Sequence, residues 1–195
     1  MYKRQSLADG TNGGLASNYT INDGVFTITK KAISLSGTRL YDATTDAIAS
    51  DLTTMSGLVG SETLNLSGTG SVANANVASN KTVTVGTLAL ADNSGLAANY
   101  TLSGGTHQLT VNRRPLAATI ARQYDGTKTA AGSDLSAFDA LQGGETLTLS
   151  GSGTVGDENV ANGQGVTLGT LALVNGTGLA SVSYTHLRAH ETKRN

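Results

Sequence analysis

The chain has no cysteine and no tryptophan, and its 195 residues include one proline and two phenylalanines. Without cysteine it can form no disulfide and no thiolate metal centre. Charged residues make up 14 %, against roughly 25 % in ordinary soluble domains. A net charge of −1 leaves no basic footprint for nucleic acid. No apolar run approaches the ~20 residues that a membrane-spanning helix needs. The opening residues, MYKRQ and then SLADGTNGG, lack the hydrophobic stretch of a secretory signal.

What remains is rich in small and hydroxyl residues, with 25 glycines. Val, Ile, Leu and Ala recur in short alternating runs, which separates the chain from a disordered polar tract. Thr and Val suit a pleated, half-buried surface, and Gly, Asn and Asp suit turns. The composition therefore predicts an all-β protein.

The two ends differ from the rest. Residues 184–195, YTHLRAHETKRN, hold His186, His190, Arg188, Lys193 and Arg194, whereas Gly132 to Ser181 contain no Lys or Arg. Both this tail and the opening MYKRQ resemble translated sequencing-adapter sequence, as found at the ends of metagenomic fragments. On that expectation residues 1–5 and 182–195 are non-native. The remainder carries 8 basic and 13 acidic residues, a net −5. A native tail would instead offer His186 and His190, four apart, as a metal or anion pair.

Internal repetition organises the middle. At an offset of 83, Gly60 to Asp92 meets Gly143 to Asn175 with 19 identities in 33 positions and no gap. TITKKAISL (Thr27 to Leu35) meets TVNRRPLAA (Thr110 to Ala118), and RLYDATTD (Arg39 to Asp46) meets RQYDGTKT (Arg122 to Thr129). GLASNYTI (Gly14 to Ile21) meets GLAANYTL (Gly95 to Leu102), and a third GLA begins at Gly178. Residues 6–29 thus read as the last strands of one repeat, 30–111 as a complete repeat, and 112–181 as a second repeat that is truncated.

Within the complete repeat, strands are expected near 31–36, 62–67, 82–90, 98–103 and 107–112, with weaker ones near 39–42 and 47–50. Alternation turns Leu64 and Leu66, Val83 and Val85, and Leu109 and Val111 inward. Gly86, with Gly169 as its counterpart, interrupts one run as a bulge or bend. Turn signals every 8 to 12 residues suggest small Ig-like β-sandwich modules in tandem. DLTTMSGL (Asp51 to Leu58) and DLSAFDAL (Asp134 to Leu141) read as loop or strand rather than helix. Tyr41 and Tyr124 are expected to cover a core edge and hydrogen-bond through their hydroxyls. Asp42 and Asp125 are expected to cap the following turn, where Gly126 gives backbone freedom. Tyr19 and Tyr100 are read as structural strand-entry residues. The rival reading makes Tyr41, Asp42, Tyr124 and Asp125 a binding hot spot.

The order Lys30-Lys31-Ala32-Ile33-Ser34-Leu35, Tyr41-Asp42, Val77, Lys81-Thr82-Val83-Thr84-Val85, Asn99-Tyr100-Thr101-Leu102 and Leu109-Thr110-Val111 resembles the YDG repeat. The second copy carries the full triplet, Tyr124-Asp125-Gly126, and Asn159-Val160-Ala161-Asn162-Gly163. Ala43 replaces the glycine in the first. The resemblance covers residues 7 to 181. It implies a piece of a large bacterial surface protein of the filamentous-haemagglutinin-like adhesin kind, and it brings no catalytic residues.

His107 reads as a lone surface imidazole. Asp157 and Glu158 are candidates for Ca²⁺, which takes six or more oxygen ligands, but Asn74 and Ala75 stand at the matching positions of the first copy. An ordinary polar turn fits both. No enzyme activity, cofactor, nucleic-acid partner or membrane insertion is expected. The expectation is an exported stalk or spacer at the bacterial surface, with neighbouring repeats as partners. The alternative is weak, multivalent binding of host glycan or protein by the repeats.

Overall fold

The computed structural model describes residues 8–20, 23–178 and 183–184. These form an all-β protein, with short 3-10 turns and no α-helix among the described residues. The first repeat contributes ten strands: β1 Lys31–Ala32, β2 Ser34–Leu40, β3 Asp46–Ile48, β4 Thr54–Ser56, β5 Leu64–Ser67, β6 Thr69–Ser71, β7 Ala78–Thr82, β8 Ala89–Asp92, β9 Tyr100–Thr101 and β10 His107–Asn112. Four of them make one sheet in the order β4-β2-β10-β7. β10 is central there, parallel to β2 and antiparallel to β7. Two-stranded ladders complete the unit, β3 with β6, β5 with β8, and β1 parallel with β9.

Alternation explains the burial. His107, Leu109 and Val111 face inward from β10 while Gln108 and Thr110 are half-buried. Leu109 and Val111 join Ile33, Leu35, Tyr41, Ala47, Leu52, Leu64, Val72, Val83, Leu88, Tyr100 and Leu102 in one continuous core. The run expected at 82–90 is broken. β7 ends at Thr82, and Gly86 turns the chain at φ 56° before β8. A Cβ at Gly86 would lie 2.6 Å from the Thr69 carbonyl oxygen, and at Gly169 (φ 52°) 2.6 Å from that of Ser152. Both turns therefore require glycine for conformation and for space.

The second repeat has β11 Arg114–Pro115, β12 Ala118–Ile120, β13 Thr129–Ala131, β14 Leu135–Phe138, β15 Leu147–Ser150, β16 Ser152–Val155, β17 Val166–Thr167, β18 Ala172–Asn175 and β19 Ser183–Tyr184. Its registers copy the first at an offset of 83. Leu64 pairs with Asp92 and Leu147 with Asn175. Leu35 pairs with Met55 and Ala118 with Phe138. Lys31 pairs with Tyr100 and Arg114 with Ser183. The copying stops at the main sheet, where β12 pairs with β14 alone among the described residues.

Candidate functional site

The turn after β2 is built by three side chains. The Asp42 carboxylate accepts hydrogen bonds from the Thr44 amide at 3.0 Å and hydroxyl at 2.9 Å, and pairs with Arg39. Arg39 also donates to the Thr44 carbonyl at 2.6 Å. The second repeat does the same. Asp125 accepts from the Thr127 amide and hydroxyl, each at 2.9 Å, and pairs with Arg122. Burial works against ionisation of Asp42, but the Thr44 amide, Arg39 and the Thr44 hydroxyl outweigh it and hold the carboxyl below its usual range. Asp125 is held low first by the Thr127 amide and then by Arg122. Ala43 (φ 62°) and Gly126 (φ 72°) both adopt the left-handed conformation that closes the turn.

The tyrosines diverge. Tyr41 is 6 % exposed and Tyr124 is 64 % exposed. Tyr41 is held by the repeat that follows it. Its hydroxyl donates to the Glu145 carboxylate, and its carbonyl accepts from Arg114 Nε at 2.6 Å. Burial, and then the Glu145 carboxylate, push the Tyr41 hydroxyl up to about 12. The expectation that Tyr124 covers a core edge is corrected. The groups over Tyr41 come from Asn112 of β10 and from the next repeat, and among the described residues no counterpart to them lies over Tyr124.

Tyr100 is buried, with its hydroxyl donating to Glu62 and accepting from the Val59 amide at 3.1 Å. The Glu62 carboxylate raises its pKa. Glu62 and Glu145 are repeat counterparts, and a serine, Ser183, stands in the register of Tyr100 in the second repeat. Tyr19 is 70 % exposed and covers no core.

His107 is a correction. It is buried at 5 % exposure, with Nδ1 accepting from the Leu35 amide at 3.2 Å and Nε2 donating to the Leu102 carbonyl at 2.9 Å. Its place at the head of an inward-facing β10 series puts the ring in the core, where both nitrogens find backbone partners.

At the Ca²⁺ candidates, Asp157 accepts from the Asn159 amide at 3.1 Å and side-chain amide at 2.8 Å, and Glu158 lies 3.4 Å from Lys128. The carboxylates thus serve a turn and an ion pair. Asn76 bonds Asn74 in the same way at 3.1 Å. No group of three His, Asp or Glu that could hold a metal occurs among the described residues. His186 and His190 lie outside the described residues.

Sequence reasoning overlooked Arg39, Arg122, Thr44 and Thr127 as builders of the turn, and Glu62 and Glu145 as acceptors for the tyrosines. The signal was present: each recurs at the offset of 83 within the matched stretches.

The folded chain is a tandem array of two β-units that share register, turn chemistry and glycine positions. The YDG domain model matches residues 25–108 and 106–188, and the chain belongs to that family. The first match begins five residues before the repeat boundary expected at 30, and the second runs beyond 181. No curated protein and no solved structure matches the chain.

Proposed function

We propose that this chain is part of a repetitive bacterial adhesin, exported to the cell surface or secreted, in which the units act as a structural stalk. The observation that carries this reading is the junction. Tyr41 of one unit is sealed by Arg114 and Glu145 of the next, so consecutive units fix one another through contacts between neighbours only. The reading assigns no catalytic residue and no cofactor, and it sets aside residues 1–5 and 182–195. Small-angle scattering of the chain and of Glu145→Ala tests it. A stalk gives a fixed extended envelope for the first and a broader distribution of shapes for the second. Equal flexibility in both counts against a spacer.

A second reading, weak multivalent binding of host glycan or protein, is favoured by the exposure of Tyr19 and Tyr124, since exposed aromatics suit sugar and protein contacts. Binding of the chain and of Tyr124→Ala to immobilised host glycoprotein distinguishes the two. A stalk shows no signal in either form.

A further inference from the structure

The first unit opens and closes on neighbouring strands that run the same way. β1 and β2 open it, β9 and β10 close it, and each opening strand pairs parallel with a closing one. Lys31 and Ala32 lie beside Tyr100 and Thr101, and the Ile33 amide donates to the Thr101 carbonyl at 3.0 Å. The pairing then passes to β10 and runs unbroken from Leu35 beside His107 to Leu40 beside Asn112. The Tyr41 amide ends it, donating to the Asn112 carbonyl at 2.8 Å. Residues 31–41 are thus held against residues 100–112 over roughly 30 Å of extended chain, at about 3.3 Å per residue.

The direction of these strands decides what tension does. In a parallel pair the chain enters at one end of the pairing and leaves at the other. A pull on the two ends of the unit therefore draws β2 and β10 past each other along their length. Their hydrogen bonds are evenly spaced across that motion, so all are loaded together and none yields first. An antiparallel hairpin pulled at its open end is instead peeled, one bond at a time. Both strands are interior to their sheet, in the order β4-β2-β10-β7. β4 covers the outer edge of β2 at Ser34, Leu35 and Ser36, and β7 covers that of β10 at Gln108, Leu109 and Val111. Leu35, Leu109 and Val111 are all but inaccessible, so one face of the pairing is dry and water does not replace its bonds as they lengthen. The local ladders, β3 with β6 and β5 with β8, lie outside this path.

We propose that the pairing of β1 and β2 with β9 and β10 is a mechanical clamp, through which the unit bears tension applied along the array without unfolding. The clamp rests on the stalk reading for the source of that load. The load leaves β10 through Arg113 and enters β11 at Arg114. Arg114 Nε is bonded back to the Tyr41 carbonyl at 2.6 Å. That bond ties the start of the next unit to the last clamp residue on the opposite strand, so the exit point resists peeling. Rupture of the clamp withdraws Leu109 and Val111 from the core, and the whole unit then unfolds in one step.

Single-molecule force spectroscopy of the full chain tests this, with cysteines as handles because the native chain has none. One variant carries Lys31→Cys and Asn112→Cys, exposed at opposite ends of the clamp, and is pulled in shear. Another carries Ser36→Cys and Thr106→Cys, exposed on adjacent strands near one end, and is peeled. A folded unit releases about 240–250 Å of chain in either pull, at ~3.5 Å per residue less the folded span, which shows that each variant is folded. At equal loading rate the expected rupture force is several-fold higher in shear than in peeling, since the barrier to forced unfolding is read directly. Adding Arg114→Ala should lower the shear force and leave the peeling force unchanged. Equal forces in the two pulls, a shear force below the peeling force, or a shear release in several small steps would each overturn the proposal. The stalk reading fails separately. A chain that is flexible in scattering but strong in shear loses the stalk, and a rigid chain that is weak in shear loses the clamp.

Discussion

The two units repeat one register but not one core. The first buries thirteen apolar residues in a single cluster. Among its described residues the second buries Leu116, Ala130, Leu147, Leu149 and Leu171. The ladders that involve local strands survive in both: β3 with β6 matches β13 with β16, and β5 with β8 matches β15 with β18. Among the described residues, what differs is the one strand that joins distant parts of the unit. β10 pairs with β2 about seventy residues earlier and with β7 on its other side, and it brings Leu109, Val111 and His107 with it. The lesson is that short hairpins set the register of a YDG unit, while one central strand turns a set of ladders into a core.

The largest expected effect follows from that strand. Leu109→Ala should destabilise the first unit by about 2–5 kcal/mol, the usual loss for a fully buried leucine. Denaturant unfolding with hydrogen exchange checks both the size and the location. In the parent chain, amides of β2 and β10 should be the most protected, and those of β12, which has one ladder partner among the described residues, should exchange sooner. Equal protection in β2 and β12 would remove the contrast between the units. His107→Ala comes next, at about 1–3 kcal/mol, because it leaves the buried Leu35 amide and Leu102 carbonyl without their partner.

Much of this was legible in the residues. The offset of 83, the inward turn of Leu64, Leu109 and Val111, and the aspartate-capped turns all follow from local rules of alternation and turn chemistry. Three features were not. His107 looked like a surface residue because its polarity was read alone. Its burial depends on the Leu35 amide and Leu102 carbonyl that the fold brings to its two nitrogens. Tyr41 and Tyr124 read alike because their neighbours in sequence are alike. They differ through Glu145, 104 residues away from Tyr41, and no local pattern reports so distant a partner. Phe26 and Ile28 alternate as a core strand should, and residues 6–29 read as the last strands of a repeat, yet no strand forms over residues 23–30.

The junction gives a smaller and pH-dependent effect. Tyr41→Phe should cost about 1–2 kcal/mol, since it leaves the Glu145 carboxylate without its donor. The sign with pH is fixed by the raised hydroxyl. The unfolded tyrosine ionises near 10.0, and the folded one at about 12. The contribution of Tyr41 is therefore whole below pH 10 and is lost as the pH rises toward 12. Urea midpoints between pH 8 and pH 11.5 should fall more steeply for the parent than for Tyr41→Phe. Parallel slopes would mean that Tyr41 is not held by the following unit.

The smallest expected effect separates the two turns. Ala43 and Gly126 occupy the same left-handed position, at φ 62° and φ 72°. A side chain there costs about 1–2 kcal/mol. Gly126→Ala should therefore destabilise the second unit by about 0.5–1 kcal/mol, that strain less the freedom the unfolded chain loses with its glycine. Ala43→Gly releases the same strain in the first unit, but a glycine adds freedom to the unfolded chain, worth roughly 0.5–1 kcal/mol. It also removes a methyl that packs beside Gly143 across the junction. The net gain should be about 0.5 kcal/mol, seen as a small upward shift in the thermal midpoint. The two substitutions must then move stability in opposite directions although they exchange the same pair of residues. If Ala43→Gly instead destabilises, the methyl is held at that position by its contact with the second unit, and the first triplet departs from Tyr-Asp-Gly because the junction selects a side chain there.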